Sequence, residues 1–522
     1  MKLKSKPKYK VDILQTLIDE KAIIFDKSYN KVSKIHKYWS RKPWYIIKDY
    51  ISKYSKSNDV VLDPFCGSGI IGLETILQNR DFIGYDLNPF AVFLSNQTLD
   101  FDFDVSEFKR EIDKLTFELK DTIMSLYKVS DNQYILYNIL GHGNKKEYNS
   151  VLSDFNFKNK SKVSLDLSTN IKYTIDFEYP DRPFPKKFHK DRFSYKGIEK
   201  VSEMFTERNL KALSLLNEYI SKNNSKYKNY LQLALTNTLL HVSRLKGENV
   251  RPLGVNNYWI PDDFIEENVI WRFIDRLENI AIAKQTIKKR LDDSKSKRYG
   301  TYIIHNKSSL PLAELPDSSI DFIITDPPYG EAIQYSELSF IWNTWLNKNY
   351  SIQDEVIINP VQNKGISEFH DAISEFIQNS YRVLKSNCYF TLCFHNKEVK
   401  IWAEIIRKIR DVGFELEDIK IYDVFGSPYN KHWSKFSPKS DLYVTFKKSE
   451  KCYPNPIEEI QLIDPVLLAD SIRKQLIEND SFDLNKSYDL FVAEVIVKIF
   501  EGYGCDDVLK LDIKKITELF KN

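Results

Sequence analysis

Residues 59–86 constrain the fold more than any other stretch. Asp59-Val60-Val61-Leu62-Asp63 reads as an apolar strand, and Pro64-Phe65-Cys66-Gly67-Ser68-Gly69 as a glycine turn. Ile70-Ile71-Gly72-Leu73-Glu74 opens a helix, and Phe82-Ile83-Gly84-Tyr85 is a second strand ending on Asp86. The glycines let the backbone approach a ligand closely. The helix starting near Ile70 points its amide end at the same place. Asp86 follows Asp63 at the spacing at which an acid on the second strand reaches ribose hydroxyls. A glycine turn alone says little. Strand, turn, helix, strand and terminal acid together predict an α/β nucleoside site.

A second stretch is Ser319-Ile320-Asp321-Phe322-Ile323-Ile324-Thr325-Asp326-Pro327-Pro328-Tyr329-Gly330. It reads as a short buried strand that must stop at two prolines, which cannot donate to a sheet ladder. The stiff loop after it presents Asp326 and Tyr329 at a sheet edge. An acid and a rigid carbonyl accept hydrogen bonds from an exocyclic NH2, and a tyrosine ring stacks on a flat ring. By itself, D-P-P-Y also fits a proline turn with a surface tyrosine. The upstream glycine turn changes that balance.

A third stretch, His36-Lys37-Tyr38-Trp39-Ser40-Arg41-Lys42-Pro43-Trp44-Tyr45-Ile46-Ile47, crowds donors before a helix. Pro43 suits a first turn, and Trp44 to Ile51 has helical spacing.

Taken together, these stretches resemble the DNA amino-methyltransferases. D-P-F-C-G-S-G resembles their motif I, Asp86-Leu87-Asn88-Pro89 their motif II, and His36 to Pro43 their motif X. The D-P-P-Y segment resembles their motif IV. The motifs themselves cover a small part of the chain, and a looser resemblance covers most of residues 30–450. The resemblance implies S-adenosylmethionine as cofactor, held by Lys42, Pro43, Asp63, Pro64, Phe65, Cys66, Gly67, Ser68, Gly69, Asp86 and Leu87. It implies a catalytic set of Asp326, Pro327, Pro328 and Tyr329 and no metal. The implied fold is α/β, a Rossmann-like class I methyltransferase with a mostly parallel seven-stranded sheet, a terminal antiparallel hairpin and a large inserted subdomain. One departure concerns the cofactor adenine. Methyltransferases of this type often have an acid just after Tyr302-Ile303-Ile304-His305, where this chain reads Asn306-Lys307-Ser308-Ser309.

The chain divides into residues 1–100 (motifs X, I and II), an inserted α+β region at 101–300, residues 301–450 (motif IV onward), and a helical extension at 451–522. The insertion is too long for a loop between sheet strands. Short strands are expected at 134–137, 162–165 and 171–175, and helices at 199–221 and 226–245. Met204 to Leu213 resembles a segment of a group of bacterial and phage DNA methylases whose inserted region often carries a zinc ribbon. The cysteines for one are missing here. Arg244, Lys246, Arg251, Tyr258 and Trp259 are candidate DNA contacts. Downstream, a helix at 368–385, a strand at 388–394, a helix at 398–412 before Gly413, and strands at 419–422 and 441–446 complete the sheet. Asn430 to Trp433 lies on a loop expected to face the pocket. The extension reads as packing, a dimer contact or a further DNA element.

Composition sets the remaining bounds. A length of 522 residues suggests two to four domains, and 42% hydrophobic residues suffice for a real core. A net charge of +3 neither demands nor excludes nucleic acid. Aromatics make up 14% and often neighbour Lys or Arg, which suits base stacking but also follows from a Lys-, Asn- and Ile-rich composition. None of the 5 cysteines forms a C-x-x-C pair, so neither a zinc site nor a disulfide framework is expected. No apolar run is long enough to cross a bilayer and the N-terminus reads as no signal segment, so a cytoplasmic protein is expected.

The reaction the resemblance implies is methyl transfer from S-adenosylmethionine to the exocyclic amine of a base flipped out of double-stranded DNA. Adenine N6 is the first expectation and cytosine N4 the second, in restriction-modification or in phage or host DNA modification. A separately encoded restriction endonuclease is the candidate partner. The alternative is an RNA guanine N2-methyltransferase, which also carries D-P-P-Y-G. No RNA-binding domain is read before motif X.

Overall fold

The computed structural model describes residues 28–131, 133–141, 149–153, 160–163, 173–186, 188, 197–248, 251–253, 258–294, 299–349, 351–394, 396–423, 440–449, 461–478 and 484–521. Twelve strands are named among them. They are β1 (Val60–Asp63), β2 (Asp81–Tyr85), β3 (Lys128–Ser130), β4 (Gln133–Gly141), β5 (Asn149–Ser153) and β6 (Lys160–Val163). The rest are β7 (Asp263–Glu267), β8 (Tyr302–His305), β9 (Ile320–Thr325), β10 (Leu384–Phe394), β11 (Phe414–Asp423) and β12 (Ser440–Lys448).

Seven strands make one sheet in the order β11-β12-β10-β9-β1-β2-β8. The pairs β10–β9, β9–β1, β1–β2 and β2–β8 are parallel, whereas β12 runs antiparallel to both β10 and β11. This is the class I methyltransferase arrangement, terminal hairpin included. The apolar runs of β1 and β9 follow from their place in the middle. Val61, Leu62, Phe322, Ile323 and Ile324 are fully buried, as strands covered on both faces must be. From β1 the chain winds one way through β2 to β8, and from β9 the other way. The carboxyl ends of β1 and β9 therefore flank a switch point, where ligands of open α/β sheets bind.

Local chemistry sets the elements around that point. Gly69, with φ of 77°, caps the helix Ile70–Leu77 in the left-handed region, and Gly67 turns at φ of 50°. Asn88 caps the helix Pro89–Leu99 by accepting from the Phe90 amide. The helix Trp44–Tyr54 begins one residue later than Pro43, which sits at its cap rather than in its first turn. Val399–Val412 ends at Gly413, with φ of 112°.

The insertion adds a second sheet, β3-β4-β5-β6, in which β7 also pairs with β4. Of its expected strands, the one at 162–165 is observed as Lys160–Val163, and residues 173–176 form none. Residues 171 and 172 lie outside the described residues, as do 1–27, Asn430 to Trp433 and Cys452. The expected helix at 199–221 begins only at Glu207, because the Thr206 side chain accepts from the Asn209 amide and caps it there. The next helix is Lys228–Leu239.

The helices of the insertion join the core of the main sheet. Leu213, Leu231, Leu235 and Phe273 belong to the same buried cluster as Leu62, Tyr85 and Ile323. The long helix Val269–Asp293 straps the outside of the β1–β2 unit. Its Lys284 ammonium donates to the carbonyl of Gln97 at 2.9 Å and to that of Asp100. Its Arg290 pairs with buried Glu74 at 2.6 Å and lies 3.7 Å over the Trp44 ring. The extension packs behind the helix Val399–Val412. Arg410 donates to the Ile499 carbonyl at 3.1 Å, and Phe446 stacks on Phe500. Packing is thus what the described part of the extension does.

Candidate active site

A cleft opens at the carboxyl ends of β1, β2 and β9. Asp63, Pro64, Phe65, Cys66, Gly67, Ser68, Asp86, Leu87, Lys42, Asp326 and Pro328 all line it. The three motif segments, far apart in sequence, therefore meet at one place. Pro43, Gly69, Pro327 and Tyr329 stand behind this lining.

The glycine turn is shaped by the acid that follows it. The Gly67 amide donates to Asp86 Oδ2 at 2.9 Å, and the Asn88 amide to Asp86 Oδ1 at 2.8 Å. A side chain at Gly67 would come within 2.9 Å of Cε1 of Tyr38, so only glycine leaves the turn open beneath that ring. Asp63 accepts from Thr325 Oγ1 at 2.7 Å and from the Phe65 amide at 3.1 Å, which ties β1 to β9. Burial pushes both carboxyls up to about 7, and their hydrogen bonds pull the other way.

In the same cleft, Asp326 keeps 14% of its side-chain surface. Tyr329 Oη donates to Asp326 Oδ1 at 2.5 Å and accepts from Lys42 Nζ at 2.6 Å. Lys42 Nζ also donates to Asp441 Oδ2 at 2.8 Å and lies 3.4 Å from Asp326 Oδ1. Burial drives the Asp326 carboxyl up to about 7, opposed by the Lys42 charge and the Tyr329 hydroxyl. Burial also works against the Lys42 charge, but Asp326 and Asp441 hold it well above the ordinary lysine range.

Two placements differ from the sequence expectation. Tyr329 turns its hydroxyl into this knot, and its ring meets Phe394 edge-on at 5.5 Å. Lys42 faces the Asp326 wall. The other donors of its segment are engaged with the protein. Lys37 Nζ donates to the Pro252 and Leu253 carbonyls, and Arg41 to Ser68 and to the Ser33 and His36 carbonyls. His36 is fully buried against Phe90 and Trp342, and burial drops it to about 3, so it is neutral. Among the candidate DNA contacts, Tyr258 is a core residue whose hydroxyl donates to the Glu337 carbonyl at 3.0 Å. Lys246 pairs with buried Glu267 at 2.9 Å.

Sequence reasoning missed Tyr38, Tyr335, Glu355 and Asp441. Tyr38 and Tyr335 stack at 6.1 Å between ring centres and line the cleft. Glu355 lines it too and accepts from the Ser336 amide at 2.8 Å. Asn306, opposite the missing acid, donates to the Asp86 and Leu87 carbonyls at 3.0 Å, so it braces the turn, and Ser308 and Ser309 line the cleft. The aromatic residues of 36–47 were a visible signal for Tyr38.

A family model described as DNA methylase matches residues 9–97 and 320–483. Those two blocks bracket the insertion and contain every motif that meets in the cleft. Over these blocks the chain matches the DNA amino-methyltransferases. Among curated relatives it is 23% identical over 279 residues to the type II methyltransferase M.MvaI of Kocuria varians, covering 50% of this chain and 58% of that protein. It is 34% identical over 87 residues to the type II methyltransferase M2.LlaDCHI of Lactococcus lactis subsp. cremoris, covering 16% and 32%. The chain thus spans less than two thirds of the length of these relatives. A solved S-adenosylmethionine-dependent methyltransferase from Methanosarcina mazei aligns over 77% of this chain and 97% of its own, with 10% identity and a TM-score of 0.26. The rRNA methyltransferase aviRa of Streptomyces viridochromogenes aligns over 82% and 94%, with 8% identity and a TM-score of 0.28.

S-adenosylmethionine is the methyl donor of the DNA amino-methyltransferases, and the cleft fits it on chemistry of its own. That molecule carries a sulfonium, an ammonium and ribose hydroxyls. The walls offer the carboxyls of Asp63, Asp86, Asp354 and Glu355, together with a backbone cradle at Gly67 that any Cβ would fill.

Proposed function

We propose that this chain methylates an exocyclic amine of a base in double-stranded DNA, adenine N6 first and cytosine N4 second. The observation that carries the reading is the position of Asp326. Its largely shielded carboxylate lines the same cleft as the Gly67–Asp86 turn. An acceptor for an NH2 group therefore shares one cleft with a turn suited to a nucleoside. A base inside a duplex cannot reach that acceptor, which supports base flipping.

The bound donor supplies a methyl group on a cationic sulfur. The new N–C bond takes the nitrogen lone pair, and the broken C–S pair stays on sulfur. The chain's own residues position the target. Asp86 and Asp63 fix the turn, and Asp326 accepts from the amino group, which localises the nitrogen lone pair. Tyr329 holds Asp326 in place. Positioning of this kind supplies most of what such a reaction needs. Cys66 is buried and its thiol is pushed up by burial, so it takes no nucleophilic part.

The test is label transfer from S-adenosylmethionine to unmethylated DNA, total RNA and protein in parallel, with Asp326→Ala beside each. N6-methyladenine in DNA, lost in the variant, supports the first reading, and N4-methylcytosine the second. Label in RNA alone overturns both and favours the guanine alternative. The type II names of the relatives support a place beside a restriction endonuclease, which co-purification from the source cell would test.

A further inference from the structure

The Asp326 carboxylate is held from behind by two residues that lie outside its own loop. Lys42 precedes the helix Trp44–Tyr54, and Asp441 stands on β12, the antiparallel strand. Lys42 Nζ lies 2.8 Å from Asp441 Oδ2, 2.6 Å from Tyr329 Oη and 3.4 Å from Asp326 Oδ1. Only 7% of its side-chain surface is exposed. An ammonium this buried persists only if it is paired. Asp441 supplies a partner that is not the reacting acid. Lys42 can therefore stay charged whatever the state of Asp326.

We propose that Lys42, anchored by Asp441, is a positioning residue that aims Asp326 and Tyr329 and returns Asp326 to its ionised form after each turnover. This rests on reading the cleft as an amine-methylating site. The amino nitrogen, once it has formed its new bond, must lose one proton. Its N–H bond breaks, the electron pair stays on nitrogen, and an O–H bond forms on Asp326. A buried neutral carboxylic acid holds such a proton. The adjacent Lys42 charge favours its departure to water and restores the acceptor.

Several elements act on Asp326 besides Lys42. Tyr329 comes from its own loop, Asp441 and Tyr443 from β12, Cys393 from β10, Asp63 from β1 and Tyr335 from the helix Tyr335–Leu338. Lys42 is the cation whose charge acts to lower the Asp326 pKa, and Asp441 acts to raise it. Removing each should thus move the acid limb of the rate profile in opposite directions.

The experiment measures single-turnover methylation of unmethylated DNA from pH 6 to 9 for wild type, Lys42→Met, Lys42→Arg and Asp441→Asn. S-adenosylhomocysteine affinity is read by calorimetry on the same proteins. Lys42→Met should lose about 100-fold in rate and move the acid limb up by about one pH unit, with affinity changed less than about 3-fold. Lys42→Arg should return the limb to its wild-type position. Asp441→Asn should lose about 10-fold in rate and move the limb down, opposite to Lys42→Met. A limb that stays fixed in Lys42→Met overturns the proposal. So does an affinity loss equal to the rate loss, which would make Lys42 a cofactor ligand. If Lys42→Met does not fold, Asp441→Asn decides: a wild-type rate overturns the proposal, and a slowed rate with intact affinity supports it. Wild-type protein that binds S-adenosylhomocysteine but methylates no DNA overturns the parent reading, and the proposal falls with it.

Discussion

Tyr329→Phe separates the two things a tyrosine in this loop can do. Phenylalanine keeps the ring and its edge-on contact with Phe394 and removes only the hydroxyl. That hydroxyl makes two short hydrogen bonds, 2.6 Å from the Lys42 ammonium and 2.5 Å to the Asp326 carboxylate. Each involves a charged partner and is worth about 1.5–3 kcal/mol. The loss is partly recovered, because Lys42 and Asp326 stand 3.4 Å apart and can close into a direct pair. A net of about 2 kcal/mol is left, or roughly 30-fold in the methylation rate. The hydroxyl also acts to lower the Asp326 pKa, so the acid limb should rise with the substitution. The assay is single-turnover methylation across pH, with DNA affinity measured by fluorescence anisotropy. An unchanged rate and limb beside a weakened DNA affinity would refute this reasoning and return Tyr329 to base stacking.

Gly67→Ala adds a Cβ 2.9 Å from the Tyr38 ring at a φ of 50°, which costs about 1–2 kcal/mol in backbone strain alone. S-adenosylhomocysteine affinity by calorimetry should fall about 10-fold, with the fold intact by circular dichroism. Lys284→Met removes the donor to two buried carbonyls that join the insertion to the helix Pro89–Leu99. It should destabilise the protein by about 1–3 kcal/mol, read as a lower melting temperature. Asp63 and Asp86 are pushed by burial to about 7, so below that pH a cationic ligand must first displace a proton from each. S-adenosylmethionine affinity should therefore tighten as pH rises from about 6 to 8, with proton release seen as buffer-dependent heat. A flat profile would contradict the assigned burial of these acids.

Much of the cleft was legible because its parts are local. β1 is an apolar run ended by a glycine turn, and β9 is an apolar run ended by two prolines. Each boundary is written within a few residues. The start of the helix at Glu207 was also written locally, since Thr206 is a capping residue three positions before Asn209, but helical periodicity upstream concealed it. The partners of Lys42 were not legible. Tyr329 and Asp441 lie 287 and 399 positions from it in sequence; the pairing of β9 with β1 places the first, and the insertion of β12 between β10 and β11 the second. The basic segment at 36–42 misled for a related reason. Its donors crowd before a helix in sequence, but backbone carbonyls take them up, those of Pro252 and Leu253 for Lys37 and that of nearby His36 for Arg41. Tyr258 likewise reads as an exposed aromatic beside Trp259, and is buried because a carbonyl at Glu337 waits for its hydroxyl.

The position of the insertion has a consequence for synthesis. β1 pairs on one side with β2 and on the other with β9, and the outer edge of β2 is covered by β8. Both covering strands come after the insertion, at residues 302–305 and 320–325. A ribosome that has made the glycine turn and its acid must therefore add the whole insertion before either edge of that two-stranded unit is closed. Until then two apolar strands present open ladders to whatever is nearby, the condition under which chains pair with the wrong neighbour. The insertion helices that pack on this unit, with Lys284 and Arg290 reaching back to it, emerge first. They can cover the helical side of that unit before β8 and β9 close its ladders.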